Sequence, residues 1–231
     1  AVHHAVLDGA ALNSLWEQIT ALYNSRNVGA RQASGAATFN HVPAVFNEFV
    51  QHDRASMDTA PVIEFWRERF RNVEPLDFTV PAPVPTPAHF ITRELFLDDE
   101  HWQQLKKFCR EHRITPALYL KSLFGLMIKT YCRPDADFTI QETMGGRIKG
   151  HHNTMGCYIQ EIPFVFSRDT LKAEAAFTDL LGYARQFQKE IKDQRLISIG
   201  KQIALSPRGR VGFMFNYYQF LAHTEFLGEV F

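Results

Sequence analysis

Apolar residues recur at three- and four-residue spacing near the start of the chain. Leu12, Leu15, Trp16, Ile19, Leu22 and Tyr23 make one stripe on a helix predicted over about 10–24. Residues 24–40 are rich in Gly, Ala, Ser and Asn and read as a loop. Short helices are predicted over about 44–53 and 61–72, before Pro81, Pro83, Pro85 and Pro87 impose an extended connector. The segment 89–97 suits a strand, and Asp98 or Asp99 then caps a helix carrying Trp102, Leu105, Phe108 and Cys109. Thr115-Pro116 starts a further helix, which is apolar on nearly every side through Tyr131 and so is expected to be deeply buried. Strands are predicted over 137–143 and 158–166 on either side of a Gly/His-rich loop. Thr170 is expected to open a long helix with Phe177, Leu180, Leu181, Ala184, Phe187 and Ile191 on one face, and 211–218 reads as a buried strand. Strands alternating with helices give an α/β fold (an α+β sandwich), a mixed sheet flanked by helices.

Composition narrows the class. The chain has 231 residues, 45% hydrophobic and 13% aromatic, enough for a well-packed core in one large domain or two lobes. Its 25 basic residues balance 25 acidic ones, which leaves no electrostatic footprint for nucleic acid or an anionic membrane surface. Three scattered cysteines, Cys109, Cys132 and Cys157, form neither a disulfide framework nor a zinc pattern, which fits a reducing, cytoplasmic setting. No stretch approaches the length of a membrane span. The chain opens at Ala1, a few residues before its strongest motif, and stops just after an apolar stretch, so it is expected to be a portion of a larger protein.

That motif is His3-His4-Ala5-Val6-Leu7-Asp8-Gly9. Successive side chains on an extended segment alternate faces, so one histidine is expected to face a cavity and the other to pack behind it. Asp8 and Gly9 fall where the segment turns into the first helix. A carboxylate there can cap that helix or pair with a buried cation, and Gly permits a tight turn. Imidazole moves protons near neutral pH and suits attack by an amine or hydroxyl. Two adjacent histidines are in themselves an ordinary surface or core feature. His-His-x3-Asp also offers metal-ligand types, but no further Cys/His cluster has useful spacing, so no metal is expected.

Together with four later segments the motif resembles nonribosomal peptide synthetase condensation domains. Phe65-Trp66-Arg67-Glu68-Arg69-Phe70 is similar to their Tyr-Trp-x-x-x-Leu helix segment, and Thr143-Met144-Gly145-Gly146-Arg147 to a strand end closing in Gly-Arg. Met155-Gly156-Cys157-Tyr158-Ile159-Gln160-Glu161-Ile162-Pro163 resembles the segment Gly-x-Phe-Val-Asn-Thr-x-Pro, and Val211-Gly212-Phe213-Met214-Phe215-Asn216 the late strand ending in Phe-Asn. The order and spacing of these segments span almost the whole chain.

The resemblance implies chloramphenicol-acetyltransferase-like lobes. Residues 1–80 would be the motif-bearing end of an N-terminal lobe with connecting helices, and 81–231 an incomplete C-terminal lobe. It implies acyl transfer: an amide bond formed between a carrier-bound thioester donor and an amine acceptor. Donor and acceptor carrier proteins would deliver phosphopantetheine-linked substrates beside neighbouring synthetase domains, with no cofactor bound by the domain itself. His4 would be catalytic, and His3, Asp8 and Gly9 would support the site. Arg147, Gly156, Gln160 and Asn216 would be candidates to border the substrate tunnel. The resemblance also implies that Asp8 pairs with an arginine from an earlier strand, upstream of residue 1, so the 231 residues in isolation are expected to be inactive. Loop position makes His151 and His152 read as solvent-exposed.

Two departures stand out. Gln160 occupies the position of the family's Asn, and Gln194-Arg195-Leu196-Ile197-Ser198-Ile199 lacks the His and Pro of a His-Gln-x-x-Pro-Phe segment. Both leave room for an unusual donor or acceptor. A coenzyme-A-dependent acyltransferase of the same superfamily and a non-catalytic docking module are the alternatives. The first lacks its Asp-Phe-Gly-Trp-Gly segment here, and the second tends to lose the histidine that His4 represents.

Overall fold

The structure, a computed structural model, describes residues 6–27, 44–76, 92–132, 135–147, 151, 154–172, 174–194, 197–206, 213–218, 225–226 and 229–230. The connector prolines Pro81, Pro83, Pro85 and Pro87 lie outside the described residues. In chain order the elements are α1 (Gly9–Asn27), α2 (Ala44–Ser56), α3 (Ala60–Arg69), α4 (Asp99–Glu111), α5 (Pro116–Cys132), β1 (Phe138–Gly145), β2 (Ile159–Phe166), a 3₁₀ turn (Arg168–Leu171), α6 (Phe177–Glu190), a second 3₁₀ turn (Ile191–Asp193), α7 (Ile199–Leu205), β3 (Met214–Phe215), β4 (Glu225–Phe226) and β5 (Glu229–Val230). One compact unit comprises Ala1–Met57, Thr143–Glu161 and Asn216–Phe231; the other comprises Asp58–Glu142 and Ile162–Phe215. No helix among the described residues is long and apolar enough to cross a membrane.

The first unit holds α1, α2 and the antiparallel pair β4–β5. On α1 the apolar period is present, but Leu12, Trp16, Ile19 and Tyr23 are exposed, whereas Ala11 and Thr20 are buried. Periodicity identifies an apolar stripe without saying which side of the helix the fold covers. From α2, Phe46 and Phe49 both pack on Tyr158, at ring-centroid distances of 5.1 and 4.5 Å.

In the second unit the helix starts follow the capping chemistry read from the sequence. Asp98 accepts a hydrogen bond from the His101 amide at the start of α4, and Thr115 Oγ1 accepts one from Leu118 at the start of α5. α5 packs on α4 and α6, burying Leu118, Lys121, Ser122, Gly125 and Ile128. Its other side leaves Leu123, Met127 and Tyr131 exposed, so the all-round burial expected from its composition does not occur. α6 begins at Phe177, later than the expected start at Thr170, because Ser167 and Asp169 fold the chain into a 3₁₀ turn first. Asp179 then accepts from the Ala176 amide at the true helix start.

The central sheet has strand order β2-β1-β3, with β3 parallel to β1 and Gln141 opposite Met214. The strand expected over 211–218 shortens to Met214–Phe215, with Met214 exposed; residues 211–212 lie outside the described residues. The strand expected over 89–97 is not formed in its described part, where residues 92–98 are irregular and exposed. A strand needs a hydrogen-bonded neighbour, and among the described residues none pairs with this segment.

Aromatic side chains fill the core between sheet and helices. Trp66 is fully buried, packs against Phe70 and Phe187, and donates its indole N–H to the Gln194 carbonyl at 2.7 Å. That bond satisfies the one polar atom of the largest core residue. A charged pair also lies inside: Lys121 Nζ donates to Glu142 Oε2 at 2.6 Å and sits 4.1 Å from the Phe164 ring centroid. Burial pushes the Lys121 ammonium below its ordinary range, while the adjacent Glu142 carboxylate opposes that shift.

Tyr183 donates its hydroxyl to the Val165 carbonyl at 2.9 Å, and burial pushes the phenol well above its ordinary value. The folded state therefore keeps this proton at pH values where the unfolded chain, titrating near about 10, has lost it. Stability from this group is fully present below the unfolded value and falls as pH rises beyond it. Tyr183→Phe is expected to lose roughly 1 kcal/mol near neutrality but to fall less steeply than the parent above about pH 10. Urea midpoints measured at intervals between neutral and strongly alkaline pH check this; parallel alkaline slopes would contradict it.

Candidate active site

Asp8 ends the irregular segment before α1, and its position at the helix start gives its carboxylate work on both oxygens. Oδ1 accepts from the Ala11 amide at 2.8 Å, capping α1, and from Arg147 Nη2 at 2.7 Å. Oδ2 accepts from the Tyr158 amide at 2.9 Å. The Asp8 amide donates in turn to the Gly156 carbonyl at 3.3 Å. The residue is 5% exposed. Capping and cation pairing, which the sequence left as alternatives, both occur.

Arg147 follows β1 and is almost as enclosed as its partner. Its Nη1 donates to the carbonyls of His151 and Thr154, at 3.0 and 2.7 Å. Its guanidinium carbon lies 4.3 Å from the Tyr158 ring centroid, a cation–π contact in a desolvated setting. Tyr158 itself is fully buried. Burial pushes its phenol above the ordinary range, with a Thr154 hydrogen bond and the Arg147 charge acting the other way.

Two glycines let these segments approach one another. Gly156 has φ 151°, a backbone conformation that L side chains rarely adopt, and a Cβ there would run into the Phe46 ring. At Gly146 a Cβ would stand 2.7 Å from the Tyr158 carbonyl oxygen, which accepts from the Gly146 amide at 2.6 Å.

The structure thus brings together Asp8, Arg147 and Gly156, with Gly9 as the first residue of α1. Gln160, on β2, lies beside Gly146 and donates to Asp53 Oδ1 at 3.1 Å, with no hydrogen bond to Asp8 or Arg147 among the described residues. Asn216 is exposed and donates to the Tyr218 hydroxyl at 2.7 Å. His3 and His4 lie outside the described residues, as does His152.

Two expectations are corrected here. The arginine paired with Asp8 is Arg147, which follows it by 139 residues, and not a residue upstream of the motif. A Gly-Arg strand end read in isolation does not disclose its partner. His151 is not a solvent-exposed loop residue: it is 6% exposed, with Nδ1 hydrogen-bonded to the Tyr158 hydroxyl at 3.1 Å. The signal that could have found this pair was Tyr158 itself, a hydroxyl inside an otherwise apolar segment, since a buried hydroxyl needs a partner.

Residues 1–202 match the sequence profile of the condensation domain. The chain belongs to the condensation-domain family. A nonribosomal peptide synthetase of Aspergillus violaceofuscus is 26% identical over 138 residues, covering 58% of this chain and 1% of the synthetase. Cyclosporin synthetase of Tolypocladium inflatum is 23% identical over 202 residues, covering 84% of this chain and 1% of that protein. Among solved structures, the first condensation domain of the calcium-dependent antibiotic synthetase superposes with a TM-score of 0.76 at 18% identity, over 99% of this chain and 50% of that one. The α/β architecture read from the sequence is therefore the condensation-domain fold. The chain spans about half the length of that solved domain and a small part of the curated synthetases it matches.

Within this condensation domain the Asp8–Arg147 pair is expected to be worth more than a surface ion pair, because removing one partner leaves the other charge buried and unmatched. Arg147→Met should destabilise the unit by about 3–5 kcal/mol, and adding Asp8→Asn should return part of that loss. Denaturant titrations of the two variants check this; a loss under about 1 kcal/mol, typical of exposed pairs, would contradict it.

Proposed function

We propose that this chain carries the motif-bearing part of a condensation site that joins a carrier-bound acyl thioester to an amine. The acceptor nitrogen attacks the thioester carbonyl, the C–N bond forms and the C–S bond breaks. The thiol of the donor arm leaves with a proton, and the amine nitrogen gives one up. Neither donor nor acceptor arm is a resident cofactor: both would arrive as phosphopantetheine-linked substrates on carrier proteins, within a multidomain synthetase.

The observation that supports this reading is the buried tether at Asp8. Four residues after His4 in sequence, the chain is held by an arginine, two backbone amides and a carbonyl acceptor. An anchored turn of this kind suits a reaction in which placement outweighs basicity. A neutral amine is already a good nucleophile, and orientation is worth roughly 7–11 kcal/mol in favourable cases. A general base adds about 10²–10⁴-fold in rate. In this reading His4 orients the acceptor and takes its proton, His3, Asp8 and Gly9 shape the segment behind it, and Arg147, Gly156, Gln160 and Asn216 remain candidates to border the substrate path.

The test uses the full-length protein with its donor and acceptor carriers loaded. His4→Ala is expected to lower amide formation by at least about 10²-fold while both carriers still bind. Near-normal product from that variant would remove His4 from the chemistry. Turnover with a coenzyme A thioester in place of the loaded donor carrier would point to the coenzyme-A-dependent alternative. Carrier binding without any His4-dependent product would make the domain a docking module.

A further inference from the structure

Arg147 reaches Asp8 with one nitrogen only, Nη2. Its Nε is buried and has no acceptor among the described residues. The rotation of the guanidinium plane is therefore set on its other side, where Nη1 meets the carbonyls of His151 and Thr154 and the Tyr158 ring lies beneath. Those three supports share one link. The Tyr158 hydroxyl is hydrogen-bonded at 3.1 Å to Nδ1 of His151, whose carbonyl is one of the two that hold Arg147. The His151 and Tyr158 rings meet edge to face, with centroids 5.9 Å apart and planes at 79°. The Thr154 amide closes the group by donating to the His151 carbonyl at 3.2 Å.

Tyr158 thus acts through three different groups. Its amide donates to Asp8 Oδ2, its ring supports the Arg147 cation, and its hydroxyl ties down His151, whose carbonyl helps to aim Arg147. A phenylalanine at this position would keep the first two and lose the third. We infer that the hydrogen bond between His151 and Tyr158 sets the placement of the Arg147–Asp8 pair, making His151 and Tyr158 positioning residues for the transfer reaction. This rests on the acyl-transfer reading above for its kinetic consequence, but not for its structural one.

The test has one readout for each. In the full-length protein with loaded carriers, Tyr158→Phe and His151→Leu are each expected to lower kcat about tenfold, the scale of one lost hydrogen bond, with KM for the acceptor unchanged. The double variant is expected to be no worse than either single one, because both remove the same contact. His151→Asn places an amide where Nδ1 stands and should recover most of the rate. Hydrogen exchange read by mass spectrometry on the same proteins, without substrate, should show the Ala11 and Tyr158 amides exchanging about tenfold faster in Tyr158→Phe and His151→Leu, and near the parent rate in His151→Asn.

Parent-like kcat and exchange in both single variants overturns the proposal. So do losses that multiply in the double variant, or a loss that His151→Asn does not recover. Should His151→Leu fail to fold, Tyr158→Phe and His151→Asn decide the matter alone. If the parent protein makes no amide from any loaded pair, the acyl-transfer reading fails, and exchange at Ala11 and Tyr158 then judges the positioning claim by itself.

Discussion

A buried carboxylate has to be matched on every side, and around Asp8 that requirement organises the first unit. The group cannot stay charged inside a fold without donors, since burying an unpaired charge is far more unfavourable than burying a neutral amide. Its donors come from three separate places: the first turn of α1, the end of β1 and the segment before β2. The last two lie 139 and 150 residues away in sequence. The pairing is thus satisfied only when segments from distant parts of the chain have met. Gly156 and Gly146 are the local conditions for that meeting, the one giving room to Phe46 and the other letting β1 close on the Tyr158 carbonyl.

The second unit is built on a different principle. Its stability comes from apolar and aromatic contact around Trp66, Phe138, Phe164, Phe166 and Phe187, with polar atoms satisfied one at a time. Lys121 and Glu142 add a buried ion pair set between α5 and β1. Replacing such a pair with apolar residues is often neutral or stabilising, whereas breaking it is not. The contrast with Asp8 is instructive: Lys121–Glu142 has one polar contact and a ring face, whereas Asp8 has three donors and a reciprocal backbone bond.

Local chemistry was the most legible part of the sequence. Asp98 and Thr115 mark the starts of α4 and α5 because a capping oxygen acts within three residues of itself. β1 and β2 were readable for a similar reason, as short runs rich in β-formers. What failed to be readable depends on partners remote in sequence. The stripe on α1 and the apolar surround of α5 could be seen, but not the side each would leave exposed. Residues 92–98 have the residue types of a strand and no described neighbour to pair with. In the site, the turn at Asp8 and Gly9 is legible from residue type, but its cation stands at Arg147, 139 residues later, where no local signal marks it. His151 reads as exposed because a loop histidine usually is, whereas its burial depends on the hydroxyl of Tyr158, seven residues on.

The electrical character of this network bears on what it can contribute to chemistry. The Tyr158 phenol is pushed upward by burial, so it remains a neutral hydroxyl at any pH at which an acyl thioester would be handled. It cannot serve there as a base. The Arg147 guanidinium likewise offers donors and no acceptor. A group of fixed charge and fixed donors, shielded from water, is poor at moving protons and good at holding atoms in place, because its dipoles need no reorganisation when the reaction occurs. In the proposed reaction the proton would be handled at His4, and the work of Asp8, Arg147 and Tyr158 would be to keep the following turn from drifting. Misplacement by about 1 Å can cost on the order of 10²-fold in rate, so a rigid support that moves no proton itself can still govern turnover.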